Sequence, residues 1–152
     1  MQPDDTDRRI LHRLLAEPSL SLADLAERAG VTPATCGRRI GKLRAAGILK
    51  GIHAVIDWPA MGFQVEVNLR VTLDKTDPRA FDEFLAAARA VPEVLEIQTF
   101  LGRVDVRLSV IARDMAHYQQ IYRTRLLTLP HIADIEALMQ VATIKSAAVL
   151  PI

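Results

Sequence analysis

The spacing of apolar residues predicts an α+β chain built in two parts, three short helices followed by an alternation of strands and helices. Three observations carry that reading. Apolar side chains recur at three and four residues up to Leu43 and at every second residue from Phe63, so the period changes from that of a helix to that of a strand. Between them, Asp57-Trp58-Pro59-Ala60-Met61-Gly62 is bracketed by Pro and Gly, as connectors are. Charge divides at the same place: residues 1–57 carry a surplus of two positive charges and residues 58–152 a surplus of one negative charge. We therefore expect one domain over 1–57, a linker over 58–62 and a second domain over 63–152.

Asp5 or Thr6 opens the first helix. Ile10, Leu11, Leu14 and Leu15 form its apolar stripe, and Pro18 stops it. His12, beside the stripe, reads as a half-buried structural side chain, since no partner lies at metal-binding spacing. Ser21 caps the second helix with Asp24 three residues on. Leu22, Leu25, Ala26 and Ala29 stripe that helix, and Gly30 ends it, because glycine takes the left-handed conformation there without strain. Thr32 and Pro33 begin the third helix: a hydroxyl cap, then a residue whose missing N–H does no harm at the first helical position. Gly47 ends it. Cys36, Ile40 and Leu43 complete a three-helix core of a size that folds alone.

The second and third helices, joined by a glycine turn, make a helix-turn-helix. The outer face of the third carries Ala34, Thr35, Gly37, Arg38, Gly41 and Lys42. From Arg28 to Ile56 there are six Lys/Arg and no Asp or Glu. A one-signed run repels itself unless a polyanion partners it. A phosphate backbone, which releases counterions to Lys and Arg, is the partner that fits; the alternative is a solvated basic face. After Gly47, Ile48–Lys50 and Ile52–Ile56 are expected to pair as a two-stranded wing turning at Lys50-Gly51, with Lys50 on phosphate and His53 exposed. Trp58 is expected to pack at the domain joint.

In the second part, Phe63, Val65, Val67, Leu69, Val71 and Leu73 alternate with Gln64, Glu66, Asn68, Arg70 and Thr72, which predicts a strand. Asp77 as cap and Pro78 as first residue start a helix striped by Phe81, Phe84, Leu85 and Ala88 and bounded by Pro92. A strand near Val94–Phe100 places Leu95 and Ile97 on one side. The turn Leu101-Gly102-Arg103 leads to a strand in which Val104, Val106, Leu108 and Val110 alternate with Asp105, Arg107 and Ser109. Asp114 caps a helix striped by Met115, Tyr118, Ile121, Tyr122 and Leu126. A last strand follows near Ile132–Val141, and the apolar tail 144–152 is expected to form a further strand segment. The order βαββαβ is that of a ferredoxin-like split β-α-β unit, with both helices on one face of a four-stranded antiparallel sheet. Glu66, Arg70, Glu96 and Arg107 lie on the open face, and two such faces meeting in a twofold dimer is the economical way to cover it.

Composition sets further bounds. Hydrophobic content of 50% supplies real cores, and 24% charged residues is ordinary for a soluble protein. One Cys allows no internal disulfide and suits the cytosol. No run approaches the ~18 apolar residues that span a membrane, and the start, MQPDDTDRR, is acidic and polar, unlike a signal peptide. There is no Gly-rich phosphate loop, no metal-ligand spacing and no Ser/His/Asp arrangement. His12, His53, His117 and His131 are scattered, the last two at positions where solvated histidines are commonest. Cys36 faces the core with no His in register. We expect no enzyme, no metal and no cofactor.

Several stretches, in order and spacing, resemble one family: Asp4-x-x-Asp7-Arg8-Arg9-Ile10-Leu11, Leu25-Ala26-x-Arg28-Ala29-Gly30-Val31-Thr32-Pro33, Arg38-Arg39-Ile40-x-Lys42-Leu43-x-x-x-Gly47-Ile48, Lys50-Gly51-Ile52-x-Ala54-Val55-Ile56-Asp57, Gly102-x-x-Asp105 and Leu150-Pro151-Ile152. The chain is similar over nearly its whole length to the leucine-responsive/asparagine (Lrp/AsnC, feast/famine) transcription factors. The resemblance implies a winged helix-turn-helix domain joined to a ferredoxin-like domain in a cytoplasmic regulator of double-stranded DNA. It implies a homodimer, often an octamer, whose second domain binds an amino acid between subunits.

Carried over by position, the resemblance puts the third helix in the major groove and marks Thr32, Thr35, Arg38 and Lys42 as DNA contacts. Arg38 or Lys42 suits guanine O6/N7, and Thr35 a phosphate or base edge. Arg39 stands open between backbone contact and an intramolecular ion pair. Gly37 and Gly41 cost about 1 kcal/mol each against Ala in a helix; they either allow close approach to DNA or mark missing base-reading side chains. The implied effector site involves Gly102, Asp105 and Glu136, with Asp105 suited to a ligand ammonium. Where many relatives carry Thr-Arg-Thr on the last strand, this chain has Ile135-Glu136-Ala137. Either Glu136 then pairs with a cationic or different amino acid, or no effector binds and Glu136 forms an assembly salt bridge. Two other classes compete: an effector-sensing or assembly module without specific DNA binding, and an enzyme like the siroheme decarboxylases, which share both domains but need His near a tetrapyrrole.

Overall fold

The computed structural model describes residues 1–146. Two compact units divide the chain near residue 56, one holding Met1–Val55 and the other Ile56–Thr143. Among the described residues no helix is long and apolar enough to cross a membrane.

In the first unit each helix begins where a side chain can satisfy its orphan N–H groups. Helix α1 (Asp5–Ala16) has Asp4 as its cap. The Asp4 carboxylate accepts the Asp7 N–H at 2.9 Å, and the Asp7 carboxylate accepts the Asp4 N–H at 3.1 Å. Helix α2 (Leu22–Ala29) has Ser21 accepting the Asp24 N–H, and ends at Gly30 with φ 69°. Helix α3 (Pro33–Ala45) has Thr32 accepting the Thr35 N–H at 3.2 Å, and Gly47, also at φ 69°, follows its end. Ile10, Leu14, Leu25, Ala26, Ala29 and Cys36 form the core, with Ile40 and Leu49 packed against it. Leu15 and Leu22, expected in the stripes, instead flank the core and are 41% and 47% exposed.

The expected wing ribbon does not form: no strand lies between Gly47 and Gly62. The Ile48 and Leu49 N–H groups both bind the Leu43 carbonyl, at 3.0 and 3.1 Å, closing the end of α3. That uses the donors of the first expected strand and leaves too few to build a ladder with Ile52–Ile56.

The second unit has the expected βαββαβ order. Strand β1 (Val65–Leu73) pairs antiparallel with β3 (Val106–Ala112) on one side and β4 (Ile132–Met139) on the other, and β2 (Val94–Thr99) lies outside β3. Helix α4 (Ala80–Arg89) and helix α5 (Met115–Ile121) cover one face. Val67, Leu69, Val71, Val106, Leu108 and Val110 of the sheet pack there against Phe84, Ala88, Tyr118, Ile121 and Leu126.

Four details depart from the periodicity. Helix α4 starts at Ala80, not Pro78, because Asp77 uses its carboxylate on the Arg79 N–H at 2.8 Å and so makes a turn rather than a cap. In β2, Val94 faces Val110 but Glu96 faces Ser109, so a bulge turns Leu95 outward while Val94 and Ile97 reach the core. Strand β3 begins at Val106 rather than Val104, since the Asp105 N–H is drawn to the Val71 carbonyl at 2.9 Å. After Ile121, α5 continues as a π-helical turn, Tyr122–Leu126, in which the Leu127 N–H binds the Tyr122 carbonyl at 2.8 Å. Trp58 packs edge-on against Phe63, with ring centres 6.1 Å apart. The tail strand expected over 144–152 falls mostly outside the described residues, and 144–146 form none.

Candidate functional site

Helix α3 sorts its side chains by face. Cys36 and Leu43 are buried, while Thr32, Ala34, Arg38, Gly41, Lys42 and Arg44 are exposed. Arg38 and Lys42 stand one turn apart, on the same side of the helix. The Thr32 hydroxyl accepts the Thr35 N–H and donates to Thr35 Oγ1 at 3.0 Å. Thr35 therefore keeps its own hydroxyl proton for an outside acceptor. Burial pushes the Cys36 thiol pKa up, away from nucleophile chemistry.

The six cations between Arg28 and Ile56 divide into two groups. Arg28 pairs with Glu17. Arg39 reaches Asp4 Oδ2 at 2.6 Å and Asp7 Oδ1 at 3.0 Å, tying α3 to the N-terminus of α1. Of the two readings left open for Arg39, the structure shows the ion pair. The Asp7 N–H and then Arg39 hold the Asp4 carboxyl below its ordinary pKa. Arg38, Lys42, Arg44 and Lys50 have no ion-pair partner among the described residues and are exposed.

A second site lies on the other unit. The hairpin between β2 and β3 turns at Gly102, whose φ of 152° is open only to glycine at low strain. Gly102 lines a cleft of about 440 Å³ with Arg70, Phe100, Arg103 and Arg107. Asp105 does not line it. Its carboxylate is buried, accepts the Leu73 N–H at 2.8 Å and pairs with Lys75 Nζ at 2.8 Å. Burial alone would raise its pKa, but the hydrogen bonds from Lys75 and Leu73 outweigh burial and hold it below the ordinary aspartate value. With the Thr72 hydroxyl donating to the Arg103 carbonyl at 2.8 Å, Asp105 fastens the end of β1 to the hairpin. Glu136 stands opposite Arg70 on β4, with Oε2 3.8 Å from the guanidinium.

Of the effector residues read from sequence, the structure therefore places Gly102 in the cleft, Glu136 on the neighbouring strand and Asp105 behind the turn. Phe100 and Arg103, which line the cleft, and Lys75, which holds Asp105, gave no such signal in the sequence. Only Arg70 and Arg107 gave a signal, as charges on the open sheet face. Folding also brings together Asp77, Glu83 and His131, whose ligand atoms lie within 4.8 Å of one another. His131 Nε2 is 2.6 Å from Glu83 Oε2, and Arg79 stands 3.4 Å from Asp77 and 3.6 Å from Glu83. Their spacing along the chain, 77, 83 and 131, gives no hint of the cluster, which reads as an ion-pair knot with its own cation.

Comparison with known proteins agrees with this geometry. The family model for winged helix-turn-helix DNA-binding matches residues 3–50, and that for the Lrp/AsnC ligand binding domain matches residues 66–150. The chain is 34% identical over 130 residues to the proline dehydrogenase transcriptional activator of Rhodobacter capsulatus, covering 86% of this chain and 84% of the relative. It is 31% identical over 131 residues to the leucine-responsive regulatory protein of Haemophilus influenzae, covering 86% and 79%. The L-Met complex of a transcriptional regulator from Neisseria meningitidis superposes with a TM-score of 0.90 at 27% identity, over 99% of this chain and 97% of that one. The ligand-binding-domain model covers more than half of the chain, and relatives above 30% identity extend the match through the helix-turn-helix, so the chain belongs to the Lrp/AsnC family.

Proposed function

We propose that this protein regulates transcription by docking α3 in the major groove of double-stranded DNA as a homodimer, which assembles further into an octamer. Its second unit senses an amino acid or related small molecule. One observation carries the DNA reading: among the described residues Arg38, Lys42, Arg44 and Lys50 lack intramolecular anions, while Arg28 and Arg39 are neutralised. Arg38 or Lys42 donates to guanine, Thr35 donates its free hydroxyl proton, and Thr32 orients the helix start. Arg44 and Lys50 are assigned to phosphate. Arg39 is assigned to holding α3 in place. The sensing reading is supported by the L-Met bound to the Neisseria regulator and by the hairpin cleft.

Fluorescence anisotropy on the gene's own upstream DNA, against a scrambled duplex, tests this. The upstream duplex is expected to bind more tightly, as an autoregulatory factor requires. Arg44, Lys50 and whichever of Arg38 and Lys42 does not read guanine make three phosphate-facing cations per chain, which give a log–log salt slope of about −2.7 for one chain and about −5.4 for a dimer, so the slope also reports the assembly on DNA. Arg38→Ala is expected to weaken specific binding by roughly fivefold to 150-fold, at ~1–3 kcal/mol for a base-contacting arginine. Equal, shallow binding of both duplexes would overturn the proposal.

A further inference from the structure

Asp77, Glu83 and His131 come from three places in the second unit: the turn before α4, the first turn of α4 and the loop before β4. They offer two carboxylate oxygens and one imidazole nitrogen, all within 4.8 Å of one another. The backbone holds two of the three. The Asp77 carboxylate accepts the Arg79 N–H at 2.8 Å, and the His131 carbonyl accepts the Asp74 N–H at 2.7 Å. The cluster shares no residue with the hairpin cleft.

Its ion pairing is loose. Among the described residues Arg79 is the one Lys or Arg paired with these acids, at 3.4 Å from Asp77 and 3.6 Å from Glu83, and its side chain is 74% exposed. Strong charge-assisted hydrogen bonds run at roughly 2.7–2.9 Å, and an exposed pair of this kind contributes little and opens readily. One guanidinium against two carboxylates leaves the knot short of positive charge. His131 is charged only when protonated; neutral, it brings a lone pair instead.

We propose that Asp77, Glu83 and His131 bind a divalent transition-metal ion of the zinc class, which takes the place of the Arg79 guanidinium. One nitrogen and two carboxylate oxygens are donors that zinc accepts, at about 2.0–2.2 Å, with water in the fourth position. Ligand atoms around such an ion lie roughly 3.4 Å apart. Here they stand from 2.6 Å to at most 4.8 Å apart, a range that straddles that spacing. The imidazole disfavours Mg²⁺ and Ca²⁺, which take oxygen ligands. The ion ties the start of β4, an edge strand of the sheet, to the first turn of α4. The spacing along the chain, on which the expectation of no metal rested, does not register a site whose third ligand arrives through the fold.

Calorimetric titration of the full, tag-free chain, stripped with a chelator, with zinc chloride and separately with magnesium chloride is the test. One zinc per chain is expected, bound more tightly than magnesium. Glu83→Gln and His131→Asn are each expected to weaken zinc binding by roughly tenfold or more, since even the outer partners of metal ligands are worth that much. Both changes spare the fold: Glu83 is exposed, and Asn tolerates the φ of 64° at position 131. Arg79→Ala is expected to tighten zinc binding by removing the competing cation, whereas a cluster serving only as an ion-pair knot would gain nothing from that loss. No zinc heat, magnesium bound as tightly as zinc, Glu83→Gln and His131→Asn chains that bind zinc as well as the parent, or an Arg79→Ala chain that binds it no more tightly would each overturn the proposal.

Discussion

Arg38 and Arg39 are adjacent in the chain and do opposite things. Arg38 is exposed and unpaired among the described residues; Arg39 is held by two carboxylates of the α1 cap, one of them buried. Their spacing shows that Arg39 lies next to the apolar stripe, but the acids that claim it are more than thirty residues away, and no local pattern can supply them. Asp105 repeats the lesson. Its motif suggests a ligand contact, whereas the folded chain gives it Lys75 and the Leu73 N–H. Asp105→Asn is therefore expected to lower stability by about 1–3 kcal/mol through the loss of a charged, buried acceptor. The folded-state pKa is depressed, so the unfolded chain binds the proton more readily. The charged form's contribution is complete above the unfolded value of about 3.9 and is lost as pH falls through the folded one. Urea unfolding of the parent and Asp105→Asn, compared at pH 7 and pH 3, is expected to show the difference between them shrinking in acid.

At the scale of elements, caps were the most legible features. Ser21, Thr32 and Asp114 each accept a backbone N–H three residues on, an interaction that three or four letters of sequence contain. Elements were misread where two local uses of one group compete. Asp77 closes a turn instead of capping α4, and the donors of Ile48 and Leu49 finish α3 instead of starting a strand. The bulge at Leu95 and the π-helical turn each shift a register by one residue, which leaves composition and apolar content unchanged. Within α3, Gly41 can be tested directly. A methyl group there meets nothing within 4 Å, so Gly41→Ala is expected to stabilise the first unit by about 1 kcal/mol from helix propensity alone. If Gly41 admits a close approach to DNA, affinity for the upstream duplex falls while the melting temperature rises. Measuring both on one variant separates the two roles.

For the molecule as a whole, the division in two was legible because charge, period and the Pro/Gly connector all change near residue 57. The sheet order followed from the βαββαβ pattern, but the cleft did not, since it is assembled from a hairpin and two strands that are neighbours in the sheet but far apart in the chain. The uncovered face of that sheet, with its opposed arginines, is the surface the proposed dimer would close. The stretch from Ile48 to Ile56, which closes a helix and then pairs with no strand, has a further consequence. Backbone outside regular structure is what a protease can bind in extended form. Lys50 is exposed there, and no other Lys or Arg occurs before Arg70, which is locked inside β1. Brief trypsin treatment is expected to cut after Lys50 and, in the exposed stretch that follows β4, after Lys145, giving fragments 1–50 and 51–145 by mass spectrometry. Cleavage appearing first within α1–α3 or the sheet would contradict this. Lys50 is thus the point of scission between the two units, at which the helix-turn-helix can be severed from the βαββαβ unit and each assayed alone.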